Sequence, residues 1–284
     1  MIGLIYSALL ITSSTCLADA EDASLNTTIK QGEYVFYTTG GCSCHAPSAD
    51  EPNDLSGGRP LETPFGTFFS TNITPDKKYG IGSWSRKDFI KAMNEGEGPD
   101  GSHFFPTFPY TSFTKITETE LGALYEYLKT WKPIAKKNKE HDIPFPFNVR
   151  LSVWGWKLLF FEKGIDTSPL TDNAQINRGK YLVHGPAHCA ECHTPRNIFG
   201  AMKSNRLFAG SKDGPEGESS PSILSNEDGI GDWSVKDIVY YLKTGMTPDG
   251  DFSGGLMAEV IDNGYQYLTD EDVEAIALYL KTQQ

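Results

Sequence analysis

The chain runs through the same order of short motifs twice, and this repetition constrains its fold more than any other feature. Gly82-Ser83-Trp84-Ser85-Arg86-Lys87-Asp88 returns as Gly231-Asp232-Trp233-Ser234-Val235-Lys236-Asp237, and Gly98-Pro99-Asp100-Gly101 is echoed by Thr247-Pro248-Asp249-Gly250. Ile116-Thr117-Glu118-Thr119-Glu120-Leu121, leading to Tyr127-Leu128-Lys129-Thr130, corresponds to Leu268-Thr269-Asp270-Glu271-Asp272-Val273, leading to Tyr279-Leu280-Lys281-Thr282. At the front, Gly32-Glu33-Tyr34 matches Gly179-Lys180-Tyr181. An offset of about 150 residues marks one domain plan used twice, and each copy, at roughly 105 to 110 residues, has an ordinary domain size. The expected organisation is residues 25–133 for the first copy, 134–172 for a linker and 173–284 for the second copy.

Both copies are expected to end in a helix. Thr117 and Thr269 are N-cap candidates, with Glu120 and Asp272 three residues on, where a carboxylate can reach back to the cap and meets the positive end of the helix dipole. Leu121, Leu124, Tyr125 and Leu128 then fall at i, i+3, i+4 and i+7, as do Val273, Ile276, Ala277 and Leu280. That is the period of a helix with one face in a core. Gly32 and Gly179 sit in short apolar segments expected to be the first helices, where a missing side chain allows close helix crossing. The expected fold class is all-α.

Five cysteines are too few for a disulfide scaffold in 284 residues, and their number is odd. Leu4 to Leu17 is largely apolar and ends in Ala18-Asp19-Ala20, the small-x-small pattern of a signal peptidase site, so residues 1–20 read as a signal peptide. About 14 apolar-rich residues fall short of the roughly 20 that span a bilayer. Cys16 lies in this leader, which leaves two close pairs. The second is Cys189-Ala190-Glu191-Cys192-His193, the CxxCH pattern of covalent c-type haem attachment. Two thiols at that spacing add to the two vinyl groups of haem, and the next residue sets an imidazole beneath the iron. CxxC alone would also suit a zinc half-site or a redox dithiol, but the following histidine and the lack of a second CxxC select haem.

The chain resembles the multi-haem cytochrome c subunits that serve membrane-associated alcohol, gluconate and aldehyde dehydrogenases of bacteria. The resemblance rests on Gly57 to Asp76 (GGRPLETPFGTFFSTNITPD), Ile81 to Ser85 (IGSWS), Pro106 to Lys115 (PTFPYTSFTK) and Gly179 to Asn197 (GKYLVHGPAHCAECHTPRN), and it covers nearly the whole mature chain. It implies two tandem class I cytochrome c domains, the shorter diheme form of a family whose longer members carry a third domain. It also implies two covalently attached haem c groups and passage of electrons from a periplasmic or membrane-associated dehydrogenase toward quinone, another cytochrome or an oxidase.

A six-coordinate c-type haem takes His on one face and commonly Met on the other, the soft thioether raising the potential. His193 is the expected proximal ligand of the second copy. Met257 falls about 65 residues later in the loop before the last helix, where such a domain brings its distal ligand. Met246, beside Gly245 at an expected helix end, is the competitor, and the family pattern favours Met257.

The first copy departs twice. Its cysteines read Cys42-Ser43-Cys44-His45, one residue short, so Gly41 stands where Cys189 stands in the other copy. Cys44 and His45 keep their relationship, allowing one thioether and a proximal imidazole, while a bond from Cys42 needs local rearrangement. Second, Phe108 stands where Met257 does. Three readings follow: a lost haem, ligation by His103 (with Met93 further back), or a five-coordinate haem under Phe108. Ala46-Pro47 and Thr194-Pro195 follow the two histidines, where a backbone carbonyl can orient the imidazole. Trp84 and Trp233 either donate an indole N–H to a haem propionate or are plain core aromatics. Arg59 and Arg196 can offset propionate charge, and the turn Asn72-Ile73-Thr74-Pro75 is expected at the first haem edge.

Between the copies, Lys136-Lys137-Asn138-Lys139 and Pro144-Phe145-Pro146-Phe147 read as a linker crossing solvent. Trp154 to Phe161 reads as a helix covering both domains, or as a docking surface for the dehydrogenase or a peripheral contact with the membrane interface. The net charge of −12 argues against nucleic acid as a partner. The expected function is a periplasmic diheme electron carrier. The alternative is a diheme oxidoreductase, peroxidase-like or thiosulfate-oxidising, with the first haem as its open site.

Overall fold

A computed structural model describes residues 8–284, with side chains from Ala23 onward except Pro215. The expected leader, with Cys16, therefore lies outside the described residues for 1–7 and outside the described side chains for the rest. The first half contains α1 (Ala8–Thr38), a 3₁₀ turn (Gly40–His45), β1 (Pro60–Thr63), β2 (Gly66–Phe69), α2 (Arg86–Glu95), α3 (Tyr110–Phe113) and α4 (Glu118–Lys129). After α5 (Arg150–Phe160), the second half contains α6 (Ala174–His184), α7 (Cys189–His193), α8 (Val235–Thr244), α9 (Gly255–Asn263) and α10 (Asp270–Leu280). The chain is mostly helical. No helix among the described residues is long and apolar enough to cross a membrane.

Each half is built on a crossing of its first and last helix, α1 with α4 and α6 with α10, and a glycine sits at each crossing. A Cβ on Gly32 would stand 1.9 Å from the Ala123 carbonyl oxygen, and one on Gly179 would stand 1.9 Å from that of Ala275. The helices can approach this closely only where the side chain is missing. One hydrophobic core lies under each crossing: Leu55, Ile116, Leu121, Leu124 and Leu128 in the first half, and Leu182, Val183, Phe208, Ile261 and Ile276 in the second. At roughly 1.5 to 3 kcal/mol per fully buried aliphatic or aromatic side chain, these cores supply most of the favourable energy of folding.

Punctuation follows from capping chemistry. Ser85 and Ser234 each close a capping box with the carboxylate three residues on, Asp88 and Asp237, and Gly96 and Gly245 end α2 and α8 in the left-handed region at φ 59° and 74°. Thr117 and Thr269 cap α4 and α10 as expected, each accepting from the backbone N–H three residues on. Their acidic partners do something the sequence did not indicate. Asp272 accepts from the Tyr34 hydroxyl at 2.7 Å, and Glu120 accepts from the Tyr181 hydroxyl. Tyr34 and Tyr181 are equivalent residues of the repeat, so each half reaches the other's last helix in the same way. The halves are thus related by a pseudo-twofold contact.

The all-α expectation holds in its coarse form, with one small addition: Pro60–Thr63 and Gly66–Phe69 pair as an antiparallel hairpin, extended by an isolated bridge from Thr67 to Asp142. One expectation is corrected. The basic stretch after α4 does not cross open solvent. Asn72 donates to the Ile134 and Lys136 carbonyls at 2.7 and 3.1 Å, Asn138 accepts from the Asn72 N–H at 2.7 Å, and Lys136 donates to the Gly57 carbonyl at 2.7 Å. The polar groups of the Asn72–Thr74 turn need partners once buried, and this strap supplies them.

α5 touches both halves. Lys157 donates to the Glu95 and Gly96 carbonyls in the first half, and the Trp156 indole donates to the Phe199 carbonyl in the second at 2.8 Å. Its outer stripe of Leu151, Trp154, Leu158 and Leu159 stays exposed.

Candidate haem sites

His45 ends the 3₁₀ turn of the first half, and His193 ends α7 of the second. His45 Nδ1 lies 2.7 Å from the Thr71 carbonyl oxygen, and His193 Nδ1 lies 2.8 Å from that of Pro221. A carbonyl only accepts, so each Nδ1 carries the proton and each Nε2 presents its lone pair, the state an axial imidazole needs. Burial lowers the pKa of both rings, reinforced against only partly by these carbonyls, so both are neutral near pH 7. Each histidine's own carbonyl accepts a 2.8 Å bond from an equivalent glycine, Gly57 or Gly210.

The orienting carbonyls are not the ones expected. They come from residues 26 and 28 positions downstream, not from the Ala46-Pro47 and Thr194-Pro195 dipeptides. Thr71 does adjoin the Asn72-Ile73-Thr74-Pro75 turn, which brings that turn against His45.

Cys42, Cys44, Cys189 and Cys192 are all unpaired. Burial pushes the Cys42 thiol up to about 11 and those of Cys189 and Cys192 up to about 12. These are neutral thiols, not the low-pKa thiolates of a redox dithiol. Cys44 keeps an exposed surface, yet surrounding protein raises its pKa as well, as in a crevice open on one side. Among the described residues no three His, Cys, Asp or Glu side chains converge as a metal cage, so neither pair belongs to an all-protein zinc site. Neutral thiols beside an imidazole with a free Nε2 fit covalent haem in both halves.

Around Cys42 the backbone is left-handed for three residues, Gly40 at φ 70°, Gly41 at 66° and Cys42 at 52°. The shortened motif is accommodated in this coil. A Cβ on Gly41 would stand 2.4 Å from the Asn263 carbonyl oxygen, so the position equivalent to Cys189 admits only glycine.

On the distal side, Met257 is the third residue of α9 and packs partly buried against the second core. Met246 follows the Gly245 cap, within 3.9 Å of the Tyr240 hydroxyl. Phe108 packs against the first core between Phe104 and Phe113. Met93 is a buried member of that core, matched in the second by buried Leu242. His103 Nδ1 lies 3.0 Å from Lys157 Nζ, whose other bonds run to two carbonyls. Burial lowers the Lys157 pKa to about 8, still protonated at neutral pH, so His103 Nδ1 accepts and its proton sits on Nε2.

Trp84 and Trp233 lie at the edges of the two cores, partly buried, each with its backbone N–H bonded to an equivalent isoleucine, Ile81 or Ile230. Arg59 makes paired contacts with two carboxylates of the second half, Glu216 at 2.5 and 3.1 Å and Glu259 at 2.6 and 2.8 Å. Arg196 bonds the Gly200 carbonyl and Glu191, the third residue of the CAECH motif. Glu191 is buried, which alone would raise its pKa, but Arg196 and the hydroxyls of Thr111 and Ser112 outweigh burial and keep it ionised.

A family model for cytochrome c matches residues 176–284. A diheme cytochrome c-type protein of Cereibacter sphaeroides is 42% identical over 267 residues, covering 91% of this chain and 87% of that protein. The cytochrome c subunit of a quinone-dependent alcohol dehydrogenase of Gluconobacter oxydans is 37% identical, covering 93% of this chain and 56% of the subunit. The fructose dehydrogenase cytochrome subunit of Gluconobacter japonicus is also 37% identical, covering 89% and 52%. This chain thus spans little more than half of the two dehydrogenase subunits. By its motif, its anchored histidine and these relatives, the chain belongs to the cytochrome c family that includes diheme cytochromes c and the cytochrome subunits of dehydrogenases.

Proposed function

We propose that the protein is an exported diheme cytochrome c that carries electrons from a dehydrogenase to a respiratory acceptor. The observation that carries this reading is the matched pair of histidines, His45 and His193, each held by a backbone carbonyl with Nε2 free. Residues 25–133 and 173–284 are then two cytochrome c domains. In the second, Cys189 and Cys192 anchor the haem, His193 is proximal and Met257 distal. In the first, Cys44 makes the one thioether and His45 is proximal, with Phe108 at the distal position. Haem supplies the one-electron chemistry, and the protein orients the imidazoles, excludes water and tunes the potential through axial ligands and burial.

The Lys157 contact supports a five-coordinate first centre over ligation by His103, because a His103 protonated at Nε2 has no lone pair there for iron. Replacement of the methionine ligand by Phe108 at the first centre permits a lower potential there and electron flow toward the second. The donor is a periplasmic or membrane-associated dehydrogenase, and the acceptor a quinone, another cytochrome or an oxidase.

Pyridine haemochrome assay per mole of protein, with the denatured mass, tests the reading. Two haems are expected, retained after denaturation; a mass increase of one haem removes the first centre. His103→Ala should leave the first-centre spectrum unaltered, and carbon monoxide should bind that centre rapidly. Stopped-flow reduction by dehydrogenases encoded beside the gene identifies the donor.

A further inference from the structure

Ser43 and Glu191 hold the same place in the two attachment motifs, directly before the second cysteine, and each reaches into the opposite half. Glu191 accepts from Thr111 at 2.5 Å and from Ser112 at 2.8 Å, both in α3, while Arg196 holds its other oxygen at 2.6 Å. α3 begins two residues after Phe108, the counterpart of Met257. Ser43 in turn accepts from Asn263 at 3.4 Å, at the end of α9, the helix that carries Met257. The glycines of the first motif lie flat against the same helix, leaving 2.4 Å between a Cβ on Gly41 and the Asn263 carbonyl oxygen, and 3.2 Å between one on Gly40 and Val260. Arg59 holds α9 again through Glu259. On the other side His188, beside Cys189, packs on Phe113 with ring centres 5.4 Å apart, and Phe113 packs on Phe108 at 5.6 Å.

We propose that each attachment segment positions the distal segment of the other half, so that the ligation and potential of one centre depend on the motif of its neighbour. Gly41 and Glu191 are the positioning residues. The inference rests on the reading that both halves hold haem and that Met257 ligates the second iron. A carboxylate wedged against α3, or a backbone laid flat on α9, fixes where those segments stop. A Met257 displaced by a fraction of an ångström binds the second iron less well, and a displaced Phe108 changes what packs over the first, so each effect appears at the centre whose own motif is untouched.

Three variants of the full holoprotein test it: Gly41→Ala, Glu191→Leu and Glu191→Gln. Gly41→Ala should weaken or abolish the far-red methionine-to-iron charge-transfer band of the second centre and lower that centre's potential. Glu191→Leu should shift the potential and Soret circular dichroism of the first centre. Glu191→Gln keeps an oxygen for Thr111 and Ser112 and should restore the first-centre values. A first-centre shift equal in Leu and Gln variants would mean that only charge matters, and would overturn the positioning role. Two haems per chain with an unmoved far-red band in Gly41→Ala and an unmoved first centre in Glu191→Leu would also overturn it. A wild-type protein with one haem, or without the far-red band, would instead defeat the underlying reading. Should Gly41→Ala not fold, the Glu191 pair decides.

Discussion

His184 Nε2 and the Tyr279 hydroxyl share a 2.6 Å hydrogen bond inside the second half, with the rings of Phe208 and Tyr279 against the imidazole. Burial is the first cause of its lowered pKa, about 4 in place of 6.5, and the cations Lys115 and Lys180 add to it. The unfolded chain therefore takes up a proton on this ring before the folded chain does. Stability from His184 is complete above about pH 6.5 and is lost as the pH falls toward 4, a loss of at most about 3 kcal/mol. Urea unfolding of the wild type and of His184→Gln across this range checks it: the variant should show a flatter profile, and parallel profiles would clear His184 of the effect. This ring binds no iron in the proposed arrangement, so the titration reports on packing and not on ligation.

Among the elements, the paired helices show most directly how a single atom decides a packing. Gly179 in α6 and Gly155 in α5 are both helical glycines. A Cβ at Gly179 would overlap the Ala275 carbonyl of α10, whereas at Gly155 nothing lies within 4 Å. Gly179→Ala should force α6 and α10 apart and destabilise the protein by roughly 1 to 3 kcal/mol or more. Gly155→Ala should be neutral or stabilise by up to about 1 kcal/mol through helix propensity. Thermal unfolding of the two variants side by side separates the cases, and equal midpoints would mean that the crossing can relax. Both crossing glycines were legible in the sequence, because the repeat placed them at matched positions in apolar segments. The hairpin Pro60–Thr63 with Gly66–Phe69 was not, because four-residue strands carry too little alternation to stand out, and its continuation depends on Asp142, far along the chain.

At the scale of the whole molecule, equivalent residues of the repeat meet as partners. Tyr34 bonds Asp272 while Tyr181 bonds Glu120, and the attachment motifs brace each other's distal segments. Arg59 breaks this symmetry, joining Glu216 and Glu259 with only 9% of its side chain exposed. Arg59→Met leaves two partly buried carboxylates without their cation and should cost about 3 to 5 kcal/mol. The triple variant Arg59→Met with Glu216→Gln and Glu259→Gln should recover much of that loss. Denaturant titration of both decides it, and a single variant as stable as wild type would show that solvent compensates the carboxylates.

The sequence by itself determined that the domain plan is used twice, that a CxxCH site exists at Cys189 to His193, and that the counterpart at Cys42 to His45 is one residue short. Those features are local: bond lengths, helix period and thiol spacing act over a few residues. Only the tertiary structure decided which carbonyls hold the two histidines, because a backbone oxygen has no side-chain signature and Thr71 and Pro221 share none. It alone decided that Arg59 meets two glutamates and that Glu191, a free position in its motif, carries a contact to α3. Those partners are set by how the two halves lie against each other, and a periodicity within either half says nothing about that.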